Sequence, residues 1–263
     1  MAEPLAFALQ LAQEIGELLL GYFQSDELLA ELKSDHSLVT QADLAADASI
    51  KAAIHQAFPH DFLLSEEKQP GEAGLEISTD AVVWVADPLD GTTNFSLGLH
   101  YWGVLLARLV NGWPVLGVMY FPLVNELYYA QSGRGAFLNH QPLRIKPPGA
   151  TRPHSFFSCC SRTFRQYQVS IPYKARILGS AAYSLCTVAR SSAILSFEAT
   201  AKIWDLAAAW LVVTEAGGIV ETLDGSQPFP LVPDTDYTVQ SFPILAAANA
   251  VIAERAHHQI IPR

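Results

Sequence analysis

Two carboxylates at the end of an apolar run are the residues of this chain best placed to do chemistry: Asp87 and Asp90, in Asp87-Pro88-Leu89-Asp90-Gly91-Thr92-Thr93-Asn94-Phe95. If the chain bends between them, both side chains can turn toward one point. Pro88 restricts the backbone there, and Gly91 permits a tight or unusual conformation. Oxygen donors in this arrangement suit Mg2+, whose near-octahedral shell can be completed by a backbone carbonyl, water and a substrate phosphate. Thr92 adds a hydroxyl able to orient a water or a phosphate oxygen. Read alone, an Asp-Pro pair followed by Asp-Gly is often only a turn. The meaning of the segment therefore depends on acids elsewhere.

Two such places stand out. Glu66 and Glu67 follow the short apolar run Phe62-Leu63-Leu64, although an acidic pair is commonly just solvated. Asp205 follows Trp204 at the head of a strongly apolar stretch, where an Asp commonly caps the free amides of a helix. Only folding can bring these acids together with Asp87 and Asp90.

The bulk composition bounds what such a cluster could serve. The chain has 263 residues, half of them apolar, enough for one large domain or two fused ones. Sixteen basic and 26 acidic residues leave a net charge of -10. That balance argues against nucleic-acid binding, and Lys33, Arg144 and Lys146 form no dense basic run. An anionic substrate would need divalent cations to reverse the sign of an acidic cleft. The three cysteines, Cys159, Cys160 and Cys186, match no zinc spacing and point to a reducing compartment. The start lacks a basic segment, and the apolar run Leu206 to Val213 is far shorter than a membrane span. A cytoplasmic protein with no membrane association is expected.

The elements that must position these acids follow from periodicity. Phe7, Leu11, Ile15, Leu18 and Leu19 recur at helical spacing after Pro4, predicting a helix continuing to about Leu32. Asp43 is expected to open a second helix, Leu44 to Ala57, stopped by Pro59. Phe62 to Leu64 and Ala81 to Ala86 read as strands, the second ending directly at Asp87, with residues 68 to 80 as a loop. Tyr101 to Leu109, Pro114 to Tyr120 and Glu126 to Tyr129 suggest further strands joined by turns at Asn111-Gly112 and Pro122. The Pro-rich segment from Lys146 to Pro153 is the best domain boundary. It divides an N-terminal α+β domain, 1–148, from a C-terminal α/β domain, 149–263. Beyond it, strands are expected at Arg176 to Leu178, Ile194 to Phe197, Ile219-Val220 and Ile244 to Ala247. Helices are expected at Ala181 to Ala189, Trp204 to Thr214 and Val251 to Ala256.

The segment Asp87 to Phe95 resembles the first signature of the inositol monophosphatase family, with every characteristic position present. Ile203-Trp204-Asp205-Leu206-Ala207-Ala208 resembles the second, and Thr214-Glu215-Ala216-Gly217-Gly218 continues it. The likeness extends from about Lys33 to Gly218. It implies a layered α-β-α-β-α sandwich of the α+β class, related to the sugar phosphatases, and commonly a homodimer. It also implies two or three Mg2+ ions, inhibition by Li+, and hydrolysis of a small phosphate monoester by a metal-activated water.

Carried over residue by residue, the resemblance makes Glu66, Asp87, the carbonyl of Leu89, Asp90 and Asp205 the metal shell. Glu66 and Thr92 would position the attacking water, and Asp43 would polarise Thr92. Lys33 matches a loop lysine near the active site, in a loop one residue shorter, and Ser65 stands where the family usually has Gly. Asp90, Gly91 and Thr92 would also face the substrate. So would Gly179, Ser180 and Ala181, in a segment resembling the family's polyol contact, and Glu198, seven positions before Asp205. Thr93-Asn94-Phe95 favours the inositol branch, whereas Ser96 to His100 departs from the common pattern. The expected substrate is an inositol monophosphate, with histidinol phosphate and fructose 1,6-bisphosphate as alternatives. A noncatalytic regulatory scaffold that binds a protein partner is the reading from a different class.

Overall fold

The computed structural model describes residues 3–23, 30–32, 38–67, 81–146, 155–233 and 235–263. In chain order the first half comprises α1 (Pro4–Phe23), β1 (Ala30–Leu32), β2 (Leu38–Thr40), α2 (Gln41–Ala57), β3 (Phe62–Ser65), β4 (Val82–Asp90) and α3 (Thr92–Ser96). It continues with β5 (Gly103–Val110), β6 (Trp113–Phe121), β7 (Glu126–Gln131), β8 (Gly135–Leu138) and β9 (Gln141–Leu143). The second half has β10 (Phe156–Cys159), α4 (Thr163–Gln166), β11 (Tyr167–Val169), β12 (Lys174–Arg176), α5 (Ala181–Ala189), β13 (Ala193–Ala201), α6 (Ile203–Glu215), β14 (Ile219–Thr222), β15 (Phe242–Ala247), α7 (Ala250–Gln259) and β16 (Ile260–Pro262).

Strands β3 to β9 form one sheet in sequence order, with β3 parallel to β4 and the other pairs antiparallel. The second sheet runs β12-β10-β13-β15-β14. Helices α1 and α2 pack on one face of the first sheet, and α6 covers its other face. α5 packs beside α6 and against β13 of the second sheet, and α7 lies against β15 and β13. The result is the layered α-β-α-β-α sandwich. The layering follows from where apolar surface is available, because each sheet must bury both faces. α6 is apolar nearly all round, from Ile203 through Val213, as a helix between two layers must be.

The same apolar cluster joins Val83, Val85 and Leu105 of the first sheet to Leu206, Ala207 and Leu211 of α6, and to Ile244 and Ala246 of the second sheet. A second cluster, with Trp84, Leu106 and Val118 at its centre, buries α1 and α2 against the opposite face.

Several expected boundaries shift. The first helix ends at Phe23, and Ala30–Leu32 is a strand paired antiparallel with β2, so the helix does not reach Leu32. The second helix starts at Gln41, not after Asp43, because Thr40 caps it: its hydroxyl accepts from the amides of Ala42 at 3.2 Å and Asp43 at 3.4 Å. The expected strand Arg176 to Leu178 is found as Lys174–Arg176, a fully exposed edge strand held by parallel pairing with β10. Residues 68–80 and most of the Pro-rich segment lie outside the described residues.

Candidate active site

The bend between Asp87 and Asp90 has a structural cause. Along β4, Asp87 pairs with Leu105 and Asp90 with Gly103, so three steps on β4 match two on β5. This is a β-bulge, and Pro88 sits inside it, where a missing N–H costs no ladder bond. In a regular strand, residues three apart face opposite sides. The extra residue turns both carboxylates to one side. Gly91 then adopts φ +91°, a left-handed conformation suited to glycine, and any Cβ there would lie 2.8 Å from the carbonyl oxygen of Tyr101.

Asp205 arrives from the layer behind. It lies in the first turn of α6, and its Oδ2 accepts from the amide of Lys202 at 2.7 Å. The helix cap and the approach to the other acids are therefore served by the same side chain. Ligand oxygens of Asp87, Asp90 and Asp205 all lie within 4.8 Å of one another.

Glu66 follows β3, its amide donating to the carbonyl of Ala86 at 3.2 Å, beside Asp87. Its charge bears on Asp87, Asp90 and Asp205. The turn that carries it is braced from α2: Lys51 donates to the carbonyl of Glu67 at 3.1 Å and pairs with Asp47 at 2.9 Å. Asp47 in turn accepts from Ser65. Ser65, in place of the family's usual Gly, is thus part of this brace.

Thr92 begins α3, and its hydroxyl stands 3.0 Å from Asp43 Oδ1 and 3.1 Å from the carbonyl oxygen of Leu89. Asp43 is nearly fully buried, and its other oxygen accepts from the amide of Thr40 at 2.8 Å and from the Thr40 hydroxyl. Glu198 is buried on β13, where the Ser184 hydroxyl of α5 acts on its carboxyl, and Ser180, just before α5, is buried against Asp90. Lys33 lies outside the described residues.

Among the described residues, the electrostatics are those of buried acids that repel one another. Burial, then Glu66, Asp90 and Asp205, push Asp87 well above the ordinary carboxylate range. Burial and then Asp90 and Glu66 do the same to Asp205, against the pull of the Lys202 amide. Burial lifts Asp90 to about 6, although Ser180 and the amides of Ala181 and Ala182 favour its ionised form. Glu198 is raised by burial and by Cys160. Among the described residues, Asp87 Oδ2 and Glu198 Oε1 are buried side-chain oxygens with no hydrogen-bond partner. An unpartnered carboxylate oxygen among acids fits a hard divalent cation, which would satisfy it and cancel the mutual repulsion.

A model of the inositol monophosphatase family matches residues 1–261. The chain belongs to the inositol monophosphatase family. Relatives extend over nearly its whole length. "Inositol monophosphatase 1" of Sus scrofa is 30% identical over 282 residues, covering 100% of this chain and 98% of that protein. "Nus factor SuhB" of Pasteurella multocida is 33% identical over 261 residues, covering 95% of this chain and 93% of that one. Among solved structures, the IMPase of Thermotoga maritima superposes with a TM-score of 0.78 at 26% identity, over 98% of this chain and 96% of that one. Family membership and the three-carboxylate cluster establish Mg2+-dependent hydrolysis of phosphate monoesters as the activity.

Two contributors had weak or no sequence signal. Thr40 could have been found, since Thr40-x-x-Asp43 has capping-box spacing. Asn94 lies in the first signature, but its bridging role has no local signal: its amide nitrogen donates to the carbonyls of Tyr101 at 2.6 Å and Leu178 at 2.8 Å, and the second partner lies in the other half of the chain.

Proposed function

We propose that the substrate is an inositol monophosphate or a closely similar polyol or sugar phosphate, cleaved by water at a centre of two or three Mg2+ ions. The metal shell would comprise Glu66, Asp87, the carbonyl of Leu89, Asp90 and Asp205. The observation that carries the reading is the convergence of Asp87, Asp90 and Asp205 on one point, with a buried oxygen of Asp87 left for a cation. When bound, Mg2+ supplies positive charge for the phosphate oxygens and acidifies a water.

The chain's own residues do the positioning. A Thr92 hydroxyl that donates to Asp43 keeps its lone pairs for a water proton, which orients that water toward phosphorus. Glu66 would accept from the same water. Asp90, Gly91 and Thr92 would line the phosphate, and the backbone of Gly179, Ser180 and Ala181 the polyol. The unpartnered Oε1 of Glu198 is free to accept from a polyol hydroxyl. Lys33, outside the described residues, would be a further contact near the site.

The same reading takes residues 1–148 as the unit with most metal ligands and 149–263 as the unit that adds Asp205 and selects the substrate. A homodimer, a cytoplasmic location and sensitivity to Li+ complete it, with neither nucleic acid nor membrane expected as a partner. No helix among the described residues is long and apolar enough to cross a membrane.

The test is phosphate release from inositol 1-phosphate, histidinol phosphate, fructose 1,6-bisphosphate and a 3'-phosphonucleotide, each with and without Mg2+. Inositol 1-phosphate should be cleaved fastest; a clear preference for either alternative reassigns the substrate. A second reading, a regulatory scaffold that binds a protein partner, draws on the 33% identity to a protein named as a Nus factor. Folded protein inactive on every ester would favour it.

A further inference from the structure

Ser180 sits in the segment expected to touch the polyol, yet its hydroxyl is turned the other way. It is 3% exposed, and its Oγ donates to Oδ2 of Asp90 while accepting from the amide of Tyr183 at 3.0 Å. A hydroxyl has one proton, and this one is committed to Asp90. The next two residues act on the same carboxylate. The amide of Ala181 donates to Asp90 Oδ1 at 3.2 Å, and that of Ala182 to Oδ2 at 3.1 Å. A carboxylate offers roughly four lone-pair sites, so three donors from Ser180 and the first two residues of α5 leave about one facing the other acids.

The start of α5 is itself tied back to the segment that carries Asp90. Asn94 holds the carbonyls of Leu178 and Tyr101. Gly179, at φ +79°, lies so close that a Cβ would sit 2.5 Å from the Asn94 side-chain oxygen. Thus the residues before and after Ser180 are both fixed to the segment from Asp87 to Phe95, which spans the end of β4 and the start of α3.

We propose that the Ser180 side chain positions the metal ligand Asp90 and does not touch the substrate: its hydroxyl fixes which lone pair the carboxylate presents to the metal site. The inference rests on the metal-centre reading above and deepens it. The segment expected to touch the polyol and a metal ligand then form one rigid unit, so the cation site depends on α5 being correctly seated. Partners that orient a ligating carboxylate typically change metal affinity or activity by about 10- to 100-fold when removed.

The experiment is Mg2+ titration calorimetry on the full chain, run beside kinetics on the preferred ester, for the wild type and Ser180→Ala, Ser180→Gly and Ser180→Thr. Glycine is tolerated at a helix N-cap, so Ser180→Gly removes the hydroxyl with little loss of capping. Ala and Gly should each weaken Mg2+ binding by about 10-fold or more and lower kcat, with KM within about threefold. Thr should restore both to within about threefold of wild type. Unchanged Mg2+ affinity in both the Ala and Gly variants overturns the proposal. So does a rise in KM at constant kcat, which would make Ser180 a direct substrate contact. Wild type that binds no Mg2+ also overturns it. Wild type that binds Mg2+ but cleaves none of the esters sinks the substrate reading alone, and the affinity comparison still decides the role of Ser180.

Discussion

Remove the metal, and the acid cluster should make this protein less stable as the pH rises. The unfolded chain releases the proton of Asp90 near 3.8, whereas in the fold burial holds it until about 6. Between those values the native state binds more protons than the unfolded one. Stability is therefore fully present below the unfolded value and is lost as pH rises through the folded value. The shift corresponds to about 3 kcal/mol in total from Asp90, of which about 2 kcal/mol falls between pH 4.5 and 7.5. Asp87, Asp205 and Glu198 are raised as well and act in the same direction.

Urea unfolding in EDTA across that range measures the slope directly, and the same series in excess Mg2+ should flatten or reverse it. Binding to the native state alone adds stability as RT ln(1 + [Mg2+]/Kd), and ionised carboxylates bind best. Asp90→Asn removes one titrating charge, so the metal-free decline should shrink by about 2 kcal/mol. Metal-free wild type that is flat, or gains stability, from pH 4.5 to 7.5 refutes the reasoning. An Asp90→Asn variant with an undiminished slope refutes the share assigned to Asp90.

Thr92→Val removes the hydroxyl that stands between Asp43 and the carbonyl of Leu89. Phosphate release should fall by about 100-fold or more, with the thermal midpoint little changed. Activity within tenfold of wild type would remove Thr92 from the machinery. Gly179→Ala forces an L side chain into a left-handed conformation against the Asn94 amide. It should cost about 1–3 kcal/mol in urea unfolding and lower activity through the seating of α5. A neutral effect on both would show that this approach is not needed.

Much of the site was legible before any coordinates. Asp87 and Asp90 announced themselves by type and spacing at the end of an apolar run, and α5 spans Ala181–Ala189 as periodicity and composition indicate. Helix ends were less legible. Leu18 and Leu19 continue an apolar pattern that could have run on, but Ala30–Leu32 pairs with Leu38–Thr40, and such pairing has no local signature. The strands Gly135–Leu138 and Gln141–Leu143, the second at the sheet edge, are not legible in the sequence because they are short and carry little alternation.

By itself, the sequence determined which chemistry was available: an excess of acids, two of them three positions apart around a proline, a nearby hydroxyl, and the two family signatures. Only the tertiary structure decided how those groups meet. A bulge turns Asp87 and Asp90 to one side, α6 brings Asp205 to within 4.8 Å, and the seating of α5 lets the Ser180 hydroxyl donate to Asp90. The physical reason is separation along the chain. Spacing dictates what neighbours a few residues apart can do, but Asp90 and Ser180 are 90 positions apart, and their contact exists because packed layers bury both.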